Sequence, residues 1–486
     1  MKDRRTIHGQ WWAQGDHQPS HLGKLTFEPE ENVILRVRIP PDPSRGLLAR
    51  LLDLEDPALA VQHVIHGQDH NGKAVTLFGC TCDSRSSTAR CTTIEVTCLA
   101  ALVNSRRSSW AEECFRAVEV EYSLLHNWIG QRFIPAREAP DGKASFLLPE
   151  DLLLDLPPGA RLRITSGLPS KTPPSEHRLQ FKHRVFFHFR TPLNIERILS
   201  EYAAVFRNFL CLSTGRTVFY DRISLYETDP FEGERARLPA RADLLRCCTG
   251  VTTADREMPG SMMLSNYAEL AGHLPRIVKK WFQLHEPLEP VVGLFMLVRS
   301  QRVRAIQTRF LLLAQALEVY HGRSVLFKSA EVSRAEHRQR VKRLAACVPE
   351  ADRPWLEEKL AHANQKTLAA RIAEVLAAHN KEATPLIAGI PDFAEKVKRT
   401  RNYYTHYGKE AVEEGKVAQG RELVRLSFAL EGLIGACLLK EIGLRGKPLE
   451  RLVSRYSAAK AIDLDGSYGT GPSAPEPPVA SEGGQR

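Results

Sequence analysis

Arginine, asparagine and histidine stand close together in the segment Lys398 to Gly408 (KRTRNYYTHYG), as Arg401, Asn402 and His406. A guanidinium holds a phosphate through two parallel hydrogen bonds. An imidazole titrates near neutral pH, so it can take a proton from one RNA oxygen and return one to another. Together these are the groups a metal-free ribonuclease needs.

The pattern around them predicts a helix. Phe393, Val397, Thr400 and Tyr404 recur at spacings of four, three and four residues, which turns one side to a core. Pro391 and Asp392 open the helix, with Asp392 as N-cap and Glu395 at capping-box spacing, and Gly408 closes it. At about 100° per residue, Lys398, Asn402 and His406 project from the opposite side, and Arg401 borders it and can swing towards it. Asn402, four residues before His406, is placed to orient the imidazole. Lys396, Lys398 and Arg399 suit an RNA backbone and Tyr403 and Tyr407 suit stacking on bases. The plainer readings of the same residues are a solvated charged face and tyrosines packed at a core edge.

Further helices surround this one. Val303, Ile306, Phe310, Leu313, Leu317 and Tyr320 form an apolar stripe on a long helix that ends near His321-Gly322. Helical patterns follow from about Glu331 to Cys347, Trp355 to His379, Phe393 to Tyr407 and Arg421 to Ile442. With nothing strand-like between them, they predict an up-and-down bundle.

The first half reads differently, as short β-like runs broken by Gly, Pro and polar turns. Asn32 to Ile39, Ala74 to Phe78, Thr92 to Cys98 and Gln180 to Arg190 are the clearest. Trp11 and Trp12, with glycines around them, begin the core of this half, and Ser166 to Ser175 reads as a loop within it. The fold class expected is therefore α+β and multidomain, a β-rich N-terminal half followed by an all-α bundle. The expected divisions are a β-rich domain over 1–165, a second β-containing segment over 166–260 that could continue the first, a helical connector over 261–300, the bundle over 301–445 and a disordered tail over 463–486.

Composition fits a soluble globular chain with an anionic partner. Of 486 residues, 43% are hydrophobic, and 67 Lys+Arg against 57 Asp+Glu give a formal charge of +10. The start lacks a signal-peptide apolar run and no stretch reads as a membrane span, so a cytoplasmic location is expected. Ten cysteines, unevenly spaced, read as reduced thiols. Cys80, Cys82, Cys91 and Cys98 lack the paired knuckles of a zinc site. Adjacent Cys247 and Cys248 read as packing, and His183 and His188, five apart in a strand, point to opposite faces and share no ligand. No P-loop, dinucleotide fingerprint, HExxH or nucleophile elbow occurs, and no cofactor is expected.

The run Arg401-Asn402-Tyr403-Tyr404-Thr405-His406 resembles the hallmark of the HEPN ribonucleases, Arg, four residues, His, often with Asn after the Arg. The resemblance covers roughly residues 295 to 445, and Glu318, on the helix around Ala316-Leu317-Glu318, matches the acidic residue that often supports the family's site. Earlier in the chain, Gly9-Gln10-Trp11-Trp12, Gly23-Lys24-Leu25-Thr26-Phe27, Ile65-His66-Gly67 and Val75-Thr76-Leu77-Phe78 are similar, in that order, to the domain preceding HEPN in ApeA-type anti-phage defence proteins. The resemblance implies a dimeric endoribonuclease in which an Arg and a His from each subunit line one cleft. It also implies products with 2′,3′-cyclic phosphate and 5′-hydroxyl ends. The architecture suggests a sensor in the N-terminal domain, with a phage-derived activator, because a toxic nuclease needs a restraint.

Spacing alone is weak, because Arg178 and His183 repeat it in a strand-like run that lacks the Asn and turns the two residues to opposite faces. The alternative function is a non-catalytic bundle that holds RNA or a protein without cutting it.

Overall fold

The computed structural model describes residues 4–15, 21–28, 32–39, 64–88, 91–130, 150–157, 159–167, 182–231, 240–246, 258–300, 303–327, 332–361, 363–407 and 416–462. Gly408, Arg178, Cys247, Cys248, the stretch from Leu168 to Ser175 and the tail from Asp463 lie outside the described residues. Two compact units emerge: Met1–Arg304 with Gly322–Phe327 and Cys437–Leu449, and Ala305–His321 with Lys328–Ala436 and Glu450–Arg486.

The first unit is built on one antiparallel sheet. Its strands are β1 (Arg5–Ala13), β2 (His21–Phe27), β3 (Val33–Ile39), β4 (Ile65–Asp69), β5 (Ala74–Ser87), β6 (Thr92–Val103), β7 (Phe115–Tyr122), β8 (Leu152–Leu156), β9 (Ala160–Gly167), β10 (Lys182–Leu193), β11 (Tyr220–Tyr226) and β12 (Arg241–Arg246). The order is β3-β2-β1-β4-β5-β6-β12-β11-β7-β10-β9-β8, and a further β3–β6 pairing closes the first six strands into a barrel. Closure leaves those strands without free edges.

Alternation fills the barrel. In β3 every second residue from Val33 to Ile39 is buried, and Thr92 to Cys98 alternates in the same way. Trp11 is fully buried there because glycines make room: a Cβ on Gly67 would lie 2.3 Å from its ring, and one on Gly23 would lie 2.8 Å away. The four N-terminal motifs thus meet in space, since β1 pairs with β2 and β4, and β4 with β5.

The strand pattern runs further than the sequence suggests. β9 continues through Ser166 and Gly167, which correct the expected loop, because both pair with β10 as His183↔Ser166 and Lys182↔Gly167. Helix α1 (Ala204–Thr214) lays Phe206 against Tyr122 and Phe187, at ring distances of 5.6 and 6.2 Å. Helix α2 (Leu274–Arg299) belongs to the same unit, where the Trp281 indole donates to the Val205 carbonyl at 2.7 Å.

His183 and His188 have separate partners, as expected. The first is 2.9 Å from Ser166 Oγ and stacked on His126, and the second is 2.8 Å from Asp229. The described cysteines are free thiols, with Cys80 and Cys98 paired across β5 and β6 and their sulfurs 3.6 Å apart.

Helices make the rest: α3 (Ile306–Arg323), α4 (Arg334–Ala346), α5 (Arg353–Leu360), α6 (Leu368–Ala378), α7 (Asn380–Ile387), α8 (Phe393–His406), α9 (Gly420–Glu441) and α10 (Lys447–Ile462). Phe310, Leu313, Leu317 and Tyr320 on α3 are buried as the stripe predicts, but Val303 precedes the helix, which runs on through His321 and Gly322 to Arg323. The expected helix from Trp355 to His379 is instead two. Asn364 interrupts it by exchanging hydrogen bonds with the backbone of Val332, and Thr367 starts α6 by capping the Ala370 N–H. Helix α7, with Pro385 inside it, was not foreseen.

Candidate functional site

Helix α8 presents the predicted residues largely as its periodicity requires. Phe393, Val397, Thr400 and Tyr404 are buried, and Asn402 and His406 are exposed. Its start differs: Asp392 sits in the left-handed region at φ 47° and makes no side-chain cap. Capping needs an extended backbone at that position. Glu395, freed from a capping box, contacts Lys398 at 3.3 Å and Arg399 at 3.7 Å. At the other end Tyr407 itself takes the left-handed conformation, φ 51°, that ends the helix.

Two buried polar contacts fix the chain beyond α8. The Thr400 hydroxyl accepts the Ala418 N–H at 3.0 Å, and Tyr404 donates to the Ala418 carbonyl at 3.4 Å. Burial, then the neighbouring Tyr403 and Tyr407, pushes the Tyr404 phenol up from its ordinary value. Rings of Tyr403, Tyr404 and Tyr407 lie 4.9 to 6.1 Å from one another. Tyr403 is therefore partly held in this cluster, whereas Tyr407 is 64% exposed.

Arg401 does not swing towards His406. Its guanidinium turns to α3, with Nη2 4.0 Å from Glu318 Oε2, because a carboxylate there attracts it. A third residue, Arg371 of α6, brings Nη1 to 3.6 Å from the other oxygen of Glu318. Arg371 is held in turn, since its Nε donates to the Lys366 carbonyl at 3.0 Å. One carboxylate thus sits between two guanidiniums, which leaves the trio with one positive charge in excess. A phosphodiester would balance it.

A second ionic set centres on Glu374 of α6. Glu374 contacts Lys366 through Oε1 and the buried His321 through Oε2, at 2.8 Å for the histidine. The Lys366 hydrogen bond, then that of His321, holds the Glu374 carboxyl below its ordinary value.

Asn402 accepts from Arg401 at 3.3 Å, and among the described residues no hydrogen bond joins it to His406. The amide therefore steadies the guanidinium, and the expected pairing with the imidazole is not made. His406 stands in the last turn of α8, and among the described residues no hydrogen bond or ion pair joins it to the trio. Lys396 is turned to α9, where it pairs with Glu422, and its side chain is only 17% exposed. With Lys398 and Arg399 engaged by Glu395, the cations expected to track RNA on α8 all have carboxylate partners.

Sequence reading found Arg401, Asn402 and Glu318, and the structure brings these together; it missed Arg371. Nothing in local spacing marks that residue, since it meets Glu318 only through the packing of α6. Among the described residues, no group of three or more His, Cys, Asp or Glu side chains could hold a metal ion. No described helix is long and apolar enough to cross a membrane.

Two family models match the chain: ApeA N-terminal domain 1 over residues 6–281 and Apea-like HEPN over residues 311–447. No curated protein and no solved structure matches it. The first match spans more than half of the chain and contains the barrel with its buried Trp11. The second contains most of α3, and all of α6 and α8, with the Glu318, Arg371 and Arg401 trio. The chain therefore belongs to the ApeA family of HEPN-type anti-phage defence proteins.

Proposed function

We propose that the protein is a metal-independent endoribonuclease whose substrate is RNA and whose site is built by Arg401, Asn402, His406 and Glu318. The observation that carries this reading is the arrangement around Glu318, where Arg371 and Arg401 share one carboxylate and retain an uncompensated positive charge. Arg401 would stabilise the charge that builds on the phosphoryl oxygens, commonly the main source of rate enhancement in such catalysis. His406 would take the proton from a ribose 2′-OH as that oxygen attacks the adjacent phosphorus. The bond to the 5′-oxygen breaks, a second imidazole or water protonates it, and a 2′,3′-cyclic phosphate and a 5′-hydroxyl result.

Helical geometry favours two copies. Arg401 and His406 are five residues apart, hence about 140° apart around the axis of α8, so one helix alone does not aim both at one phosphate. In a homodimer with two such helices facing one another, Arg401 of one copy and His406 of the other could do so. The β-rich unit would serve as the sensor or restraint for this activity, responding to a phage-derived activator. In such a system the enzyme works in abortive defence inside the cell.

Incubating the purified full chain with cellular RNA in excess EDTA and reading the fragment ends tests the reaction. Cyclic phosphate and 5′-hydroxyl ends are expected. Fragments bearing 3′-hydroxyl and 5′-phosphate ends, or cutting restored only by a divalent ion, would rule out this chemistry.

A further inference from the structure

Helix α4 carries five cations, Arg334, Arg338, Arg340, Lys342 and Arg343, against one carboxylate, Glu336. All five are exposed, and among the described residues none forms an ion pair with a carboxylate. Acids are not far away in sequence: Glu350, Asp352, Glu357 and Glu358 lie on α5 and the turn before it, and α4 and α5 pack together. The contrast with α8 is direct, because Lys396, Lys398 and Arg399 there each have a carboxylate partner.

Core burial does not explain this helix. Ala345 is its one buried residue, with His337 and Val341 half-buried on the same side, and α5 buries none. An isolated helix of such length is marginal in water. Polar devices hold it instead. Ser333 and Glu336 form a capping box, His337 Nε2 lies 2.9 Å from the Leu360 carbonyl, and Asn364 clasps the backbone of Val332 with hydrogen bonds of 2.8 and 3.0 Å. At about 100° per residue, His337, Val341 and Ala345 turn inward, Arg340, Lys342 and Arg343 lie on the outward half, and Arg338 borders it.

We infer that the outward face of α4 docks the phosphate backbone of RNA, a surface for the substrate class that rests on the ribonuclease reading above. Arginine predominates, and its planar fork pairs with phosphate oxygens through two hydrogen bonds. Arg338 and Lys342 stand about 6 Å apart along the helix, which suits successive phosphates of one strand. An anionic membrane fits less well, because insertion needs an apolar side and α4 offers only a partly exposed Leu344 beside its cations.

The test uses the full chain carrying His406→Ala, so that bound RNA is not consumed, and a labelled single-stranded RNA of mixed sequence in EDTA. Arg338→Gln, Arg340→Gln, Lys342→Gln and Arg343→Gln combined should weaken binding. The slope of log K against log salt should become shallower by about 2 to 3, or about 0.7 for each phosphate that is no longer neutralised. Replacing the three arginines with lysine should leave the slope in place. If the combined glutamine variant melts early, Arg338→Gln and Arg340→Gln are measured singly, each expected to remove about 0.7.

An unchanged slope in folded glutamine variants overturns the inference. So does an equal loss on neutralising Arg353 and Lys359 of α5, or a loss confined to phosphatidylserine vesicles. A wild-type chain that docks RNA through α4 yet cuts none supports this surface and defeats the nuclease reading alone.

Discussion

Arg401 is the side chain on which the proposed chemistry turns, and its environment says how. Glu318, which also pairs with Arg371, draws its guanidinium to the edge of α3 while leaving the side chain 40% exposed, so it is oriented without being neutralised. Arg401→Lys keeps the charge and loses the fork, and a point charge does not reproduce bidentate contact with a phosphate. Cleavage by that variant should fall about 10- to 100-fold in kcat. Its thermal stability should stay within about 1 kcal/mol of wild type, since half-exposed ion pairs contribute little. Steady-state cleavage and calorimetry on one preparation separate the two effects, and equal loss in both would make Arg401 a structural residue.

At the scale of elements, α8 is legible because its apolar residues keep helical period, and the strands β3 and β6 because Val33 to Ile39 and Thr92 to Cys98 alternate, whereas closure into a barrel is not. Contacts between distant segments are not legible either. Arg371 reaches Glu318 from a helix 53 residues further along the chain, and no one-dimensional spacing encodes that meeting. The same limit explains the broken helix: the pattern from Trp355 to His379 is helical throughout, but Asn364 satisfies the backbone of Val332 and stops it. Asp392 misled for a local reason, as its backbone is left-handed where a capping side chain needs an extended one.

Thr400 gives a test at this scale. Thr400→Val retains the shape but leaves the buried Ala418 N–H without its acceptor, so chemical denaturation should show a loss of about 1 to 3 kcal/mol. Unchanged stability would mean that Val417 and Ala418 are not anchored to α8 by this bond.

Taken whole, the chain combines a sheet unit and a helical unit, each matching its own part of one defence family. The sheet unit carries a pH-sensitive group in His183, which is 5% exposed. Burial, reinforced by the adjacent His126, pushes its imidazole down to about 4. A depressed histidine means that the unfolded chain binds the proton more readily, so the stability contributed above about pH 6.5 is lost as pH falls towards 4. Melting temperatures measured across that window should drop, and His183→Gln should flatten the decline; an identical decline in the variant would assign it to other groups.

In the proposed function His406, an exposed histidine at the end of α8, takes the proton that starts RNA cleavage. Single-turnover cleavage of RNA by the full chain and by His406→Ala, in EDTA and with matching circular dichroism, tests it most directly. Cleavage by the wild type and a loss of at least about 100-fold in the variant are expected. Equal cutting by the two proteins would contradict it.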